Sequence, residues 1–454
     1  MSRAERHEVV VVGAGLAGLS AALALKRAGL DARVLEAQAR VGGRVHSMRQ
    51  LASTAEAGGT YIGAGYTRLI AAAERHGVEL IDVTPICKFF REQELVLGRQ
   101  IIRQSEWPSH PANPFPEPDR ALMPWMHHRV LTARENPLAK PADWLDPKQA
   151  IHDISLRDWM RGLGCADELI DMSYGINVGY GENAADVSAL LMLFRAAFST
   201  AQRAEAAGDV IGYTARDGVQ RIPEAMAEAL APGVLLDKVV VAIESGDDAA
   251  LVRCADGSRY AARAVVCALP FPVLGNIAID PPLSGAQARA VQTLPYQAMT
   301  QVYLTHTAEF WNDDGYAPSL YTDGVAGMLA AARNGEDPDE VTSFTAWTMG
   351  PNARRLDVLP EKDAGRLVIE AIEAIRPAAR GRLELAGIKS WGSDPFALGG
   401  WAYFRPGQVT ELAAEMGRAH GRLHFCGEHL SEAARGMEAA MESGERAAAE
   451  ISSA

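Results

Sequence analysis

Residues 8–44, EVVVVGAGLAGLSAALALKRAGLDARVLEAQARVGGR, decide how this chain folds. Val9, Val10, Val11 and Val12 form a short apolar run that reads as a buried parallel strand, and Gly13, Gly15 and Gly18 follow as GxGxxG where a helix begins. Gly13 permits a tight turn, Gly15 lets backbone approach a pyrophosphate, and Gly18 lets the helix lie close on the strand. The helix N-terminus faces the phosphates, where unpaired N–H groups and the dipole favour negative charge. Gly29 reads as the C-terminal stop, and residues 32–35 return as a second strand ending at Glu36, placed to accept from a ribose hydroxyl. Such a unit holds a dinucleotide.

The next residues choose a flavin over a nicotinamide. Arg40-Val41-Gly42-Gly43-Arg44 sets a basic residue behind two glycines, able to reach back to the pyrophosphate while the chain passes a large ring system. In EAGGTYI, residues 56–62, a second glycine pair between apolar residues suits backbone approaching a flat ring. At the far end, LHFCGEHLSEAARGMEAAMESGERAAAEI (423–451) reads as a strand over 423–426, a turn at Gly427-Glu428, and a helix over 436–451. The small-residue start of that helix can approach the ring, and its dipole favours negative charge on a reduced flavin.

These segments resemble the flavin monoamine oxidase and polyamine oxidase superfamily of FAD-dependent amine oxidases. Its pattern combines the N-terminal glycine fingerprint, GGR, a GG pair before an aromatic, and a final GE followed by an ME-containing helix. The resemblance runs over the whole chain, is clearest near the two ends, and is weaker around LPYQAMTQVYLTHTAEFW (294–311). It implies an α/β fold: a discontinuous, GR2-type Rossmann-like FAD-binding domain with an interleaved α+β substrate-binding domain, monoamine-oxidase-like. It also implies that Gly13, Ala14, Gly15 and Gly18 meet the pyrophosphate, Glu36 the ribose, Arg44 the phosphates, and the Val240 backbone the adenine. Gly58, Gly59 and Thr60 are expected to line the isoalloxazine, with Gly427, Glu428, Gly436 and Met437 at its ribityl and pyrimidine sides and Trp391 near the ring.

Composition agrees. At 454 residues with 48% hydrophobic content, the chain is too long for one core and predicts two interleaved domains. We assign residues 1–85, 206–285 and 386–454 to the FAD-binding domain, and 86–205 and 286–385 to the substrate-binding domain. Residues 108–147 read as a proline-rich loop, 156–160 and 185–199 as helical, and 235–244, 249–254 and 264–269 as strands. The net charge of −13 argues against nucleic acid and anionic membranes as partners. The five cysteines, Cys87, Cys165, Cys254, Cys267 and Cys426, show no metal spacing and read as reduced core thiols; no metal is indicated. The opening MSRAERHE lacks the apolar run of a signal peptide and the closing Ser452-Ser453-Ala454 lacks a hydrophobic anchor, which predicts a soluble, cytoplasmic protein. A homodimer is left open.

In such a fold the flavin carries the chemistry, and the protein holds the amine α-carbon over N5 while excluding water. Hydride leaves the carbon, and the resulting imine hydrolyses to an aldehyde or ketone. His46, His110, His127, His128, His420 and His429 read as surface or packing residues, and no base stands out. Two departures from the family pattern bear on function. Alignment on Phe310-Trp311 puts Gln301 where relatives carry a lysine that holds a water at N5, so a fixed positive charge is missing and reaction with O2 is expected to be slow. In GGWAYFRPG (399–407), Trp401 stands at one wall of the aromatic cage, but Gly436 occupies the other. An amine can stack on the indole, and the missing ring predicts a bulky, cyclic or secondary amine. The covalent cysteine of the mitochondrial enzymes is absent from this segment, so the FAD is expected to be noncovalent. Tyr174, Asn177 and Tyr180 are further candidates for the pocket. The reading is an FAD-dependent amine oxidase; the alternatives are an amine dehydrogenase using an acceptor other than O2, a C–C desaturase, and a flavin-binding module without turnover.

Overall fold

The computed structural model describes residues 4–51, 54–206 and 208–453. Strand β1 (Glu5–Val12) runs through the turn at Gly13 into helix α1 (Leu16–Arg27), and β2 (Ala32–Leu35) returns beside β1 in parallel register, Val9 opposite Ala32. Val9 to Val12 are almost wholly inaccessible, as expected for a parallel strand covered on both faces. Gly13 adopts φ +101, a backbone state that other residues rarely reach, and Ala28 and Gly29 end the helix with Gly29 at φ +83.

Around β1 lies an eight-stranded sheet ordered Val234–Leu235, β2, β1, Arg259–Cys267, Ala250–Cys254, Val240–Ser245 and Ala278–Asp280, with Leu423–Phe425 paired to Arg259–Cys267. The C-terminal helix Gly436–Ser452 packs on α1, where the Ser20 hydroxyl donates to the Met441 carbonyl at 3.3 Å. Both ends of the chain therefore build one layer.

A second sheet of seven strands runs Leu383–Ser390, Met299–His306, Ser343–Met349, Met328–Ala332, Ser319–Thr322, Gln93–Leu97 and Gln100–Ile102. It draws on two separate stretches of sequence, and its Leu383–Ser390 strand crosses the boundary placed at 385/386.

Three local expectations need correction. The run 235–244 is not one strand: Asp237 turns at φ +56, separating Val234–Leu235 beside β2 from Val240–Ser245 three strands beyond β1. The helix expected from 185 starts at Ala189, because Ser188 donates its N–H to Phe404 and its hydroxyl to Asp153. The proline-rich 108–147 stretch is not an open loop, since Pro124–Arg134 is a helix with its proline at the first turn, where a missing N–H costs nothing. Of the cysteines, all free, Cys165 alone is partly exposed. Among the described residues no helix is long and apolar enough to cross a membrane, and no cluster of side chains could hold a metal.

Candidate active site

The phosphate-facing part of the site is made of backbone. Gly15 caps α1 without a side-chain hydrogen bond, and no acid lies in the first helical turn, so the helix N-terminus is left for an external anion. Gly15 forms a parallel bridge with Gly42, and a β-carbon on Gly43 would lie 3.3 Å from the Gly15 Cα. The two glycine turns thus meet with no side chain between them. This is a cradle fit for a pyrophosphate. Gly18 is required for another reason: a β-carbon there would fall 2.0 Å from the Gly13 carbonyl oxygen.

Glu36 ends β2, with one carboxylate oxygen accepting from the Ala14 N–H at 2.7 Å and the other from Gln38 at 2.9 Å. The acid therefore also pins the glycine turn, a role the sequence did not disclose. Burial pushes its carboxyl up, against those hydrogen bonds and the Arg40 charge. The residue hydrogen-bonded beside Glu36 is Leu235, whose carbonyl accepts the Glu36 N–H at 2.8 Å, while Val240 opens the next strand.

Arg44 and Glu428 join the two ends of the chain. The guanidinium lies 3.1 Å from the Glu428 carboxylate and donates to the Gly400 carbonyl at 3.0 Å, and the same carboxylate oxygen accepts the Ala402 N–H at 2.7 Å. The pair thus fixes the segment that carries Trp401. Burial acts to raise the Glu428 carboxyl, but Arg44, Arg435 and His429 outweigh it and hold it below the usual value.

Gln301 and Trp391 converge on the strand before the second glycine pair. The Gln301 amide, inaccessible to solvent, donates to the Glu56 carbonyl at 3.3 Å and accepts from the Tyr303 hydroxyl at 3.1 Å. The Trp391 indole N–H donates to the Ala57 carbonyl at 2.8 Å. Gly58 and Gly59 are demanded by protein neighbours: a β-carbon would fall 2.0 Å from the Arg44 carbonyl at the first and 3.1 Å from the Met437 sulfur at the second. Thr60 follows, half-buried.

Trp401 donates its indole N–H to Gly179 at 3.1 Å and meets Tyr180 edge to face, centroids 6.1 Å apart. Gly436 sits at φ +62, and a β-carbon on it would stand 3.5 Å from the Tyr66 hydroxyl. The Tyr66 hydroxyl therefore stands over the bare Gly436 backbone. Tyr174 and Asn177 both line a cavity of about 50 Å³ beside Tyr180. The Tyr174 hydroxyl donates to the Tyr180 carbonyl at 2.8 Å, and the Asn177 amide bridges Trp347 and Met349. Arg129 and Arg195 line the same cavity, and Arg435 donates to the Tyr180 hydroxyl at 3.3 Å; reading the sequence missed all three. His127, His128 and His429 are buried packing residues, and burial holds His429 neutral, down to about 3.

A family model described as flavin containing amine oxidoreductase matches residues 16–452. The chain belongs to that family. It is similar to the flavin-containing amine oxidase of Danio rerio, 26% identical over 99% of this chain and 86% of the relative. It is equally similar to an L-amino-acid oxidase of Demansia vestigiata, 26% identical over 98% and 87%. Among solved structures, a double mutant of putrescine oxidase superposes with TM-score 0.79 at 23% identity, covering 100% of both chains. Cyclohexylamine oxidase from Brevibacterium oxydans does so with 0.77 at 21% identity, over 98% and 99%. The protein is an FAD-dependent amine oxidoreductase with the fold of these oxidases.

Proposed function

We propose that this enzyme oxidises a bulky, cyclic or secondary amine at its C–N bond, with noncovalently held FAD. The observation that carries the reading is the bare backbone of Gly436, where a β-carbon would meet only the Tyr66 hydroxyl, at 3.5 Å. Bound FAD would supply the hydride acceptor for the amine carbon, and water would hydrolyse the resulting imine. This chain's part is positional. Arg44 and Glu428 hold the Trp401 segment, and the Trp401 face receives the amine. Gly58, Gly59 and Trp391 form the wall on the ring side, with Gln301 packed behind it. Gln301 is uncharged and enclosed by protein, so it supplies no cation to the site, which supports an electron acceptor other than O2, or slow use of O2.

Anaerobic mixing of the purified yellow protein with an amine panel, followed by air, tests the reading. Bleaching by piperidine or cyclohexylamine in preference to butylamine is the expected result. Bleaching by slender primary amines alone overturns the substrate class, and no bleaching by any amine overturns amine oxidation by this chain.

A further inference from the structure

Two guanidinium groups in the substrate cavity have no counter-ion. Arg129, on the helix Pro124–Arg134, and Arg195, on the helix Ala189–Ala204, both line the cavity of about 50 Å³ beside Tyr180. Among the described residues neither guanidinium donates a hydrogen bond or joins an ion pair; Arg195 only lies over the Tyr180 ring, 5.8 Å from its centroid. Arg129 keeps a large accessible surface and Arg195 is half-buried, and both line the cavity.

Buried charge without a partner is costly, and two like charges side by side are worse. The neighbouring groups register the resulting field. Burial lowers Arg129 to about 10, with Arg195 as the next cause. His128 is held neutral by burial, then by Arg129 and Arg195. Burial acts to raise the Tyr180 phenol, yet Arg435 and Arg195 bring it below its ordinary value. Arg435 differs from the other two, since it has Tyr180 as a hydrogen-bond partner at 3.3 Å. A protein of net charge −13 thus encloses a positive chamber next to Trp401.

We propose that the substrate carries a carboxylate as well as its amine, and that Arg129 and Arg195 hold the carboxylate while the nitrogen lies at Trp401. The planar fork of a guanidinium matches a carboxylate in two parallel hydrogen bonds. The remaining walls, among them Trp125, Tyr174, Tyr321 and Met349, suit an apolar frame joining the two polar ends. The assignment rests on the amine-oxidation reading.

The test uses the FAD-loaded full chain and two readouts. In the first, benzoate and its uncharged counterpart benzamide are titrated against the flavin absorption spectrum in the wild type and in Arg129→Met, Arg195→Met and Arg129→Lys. Benzoate is expected to bind, to weaken tenfold or more in each Met variant and less in Arg129→Lys, with benzamide unaffected. Arg129→Met is also expected to melt at a higher temperature, because it removes an uncompensated charge; a merely structural arginine lowers it. Unchanged benzoate affinity in both Met variants overturns the proposal. In the second, phenethylamine is compared with phenylalanine, piperidine with pipecolate, and butylamine with γ-aminobutyrate in anaerobic bleaching. At least one carboxylated member is expected to outpace its partner tenfold and to lose that advantage in Arg129→Met. Bleaching by the carboxylate-free amines alone overturns the carboxylate and leaves amine oxidation standing. If nothing bleaches, amine oxidation falls, while the benzoate titration still decides what the arginines bind.

Discussion

Gly444 of the C-terminal helix lies against Ala17 of α1 so closely that a β-carbon on Gly444 would fall 2.2 Å from the Ala17 carbonyl oxygen. The two helices touch backbone to backbone, and Ala17 is in the first turn behind the phosphate cradle. Gly444→Ala is expected to cost about 1–3 kcal/mol by overpacking and to push that turn out of place. Thermal melting together with the ratio of flavin to protein absorbance measures both effects; a variant that melts and retains FAD like the parent refutes the close approach.

Removing Arg44 strands a carboxylate. In Arg44→Met, Glu428 keeps its burial and loses its nearest cation, at a cost on the order of 3 kcal/mol. Adding Glu428→Gln to that variant is expected to recover part of the loss. A double-mutant cycle by denaturant unfolding gives the coupling, and additive losses show the pair to be uncoupled.

Burial raises the Glu56 carboxyl from 4.5 to about 7, despite hydrogen bonds from Val219 and Ser47. The folded state therefore binds a proton more tightly than the unfolded chain. The stability this group contributes is fully present below pH 4.5 and is lost as pH rises through about 7. Glu56→Gln is expected to flatten the pH dependence of melting across that window by on the order of 2 kcal/mol. The difference between parent and variant at pH 5 and pH 8 is the measurement.

Gln301→Lys places a cation beside the Glu56 carbonyl, where the parent has an uncharged amide. Reoxidation of the reduced enzyme by air is expected to speed up at least tenfold, equivalent to about 1.4 kcal/mol of barrier. Stopped-flow absorbance shows it directly. An equal rate in the two proteins shows that the missing charge at Gln301 does not govern reaction with oxygen.

A ring restored at Gly436 carries a backbone penalty, because φ there is +62. Gly436→Ala isolates that penalty, expected at about 1 kcal/mol, since the new methyl only touches Tyr66 at 3.5 Å. Comparing Gly436→Ala with Gly436→Tyr in the amine panel then reports the ring alone, and identical substrate preferences in both refute a role for the missing wall.

What the sequence disclosed was mostly local. The β1–α1–β2 unit was legible because apolar runs, glycine spacing and the acid at Glu36 agree within one short stretch. The break at Asp237 was hidden, since its neighbours on both sides are good strand formers. Arg129 was hidden twice. Its helix begins at a proline in a proline-rich stretch, and what marks the residue is the lack of a partner, a property that exists only after the Pro124–Arg134 and Ala189–Ala204 helices come together. Tyr66 escaped notice for the same reason, because its approach to Gly436 joins two distant parts of the chain.

The helix that covers α1 is synthesised long after α1 itself. Until it emerges, the alanine-rich flank of α1 has nothing to lie against, and Glu428 has not yet reached Arg44. A nascent chain that has not reached Gly436 thus carries an exposed apolar seam along α1. Flavin uptake is therefore expected to wait for Glu428 and the helix Gly436–Ser452, and a ribosome stalled upstream of Gly427 is expected to hold a chain that protease cuts at α1.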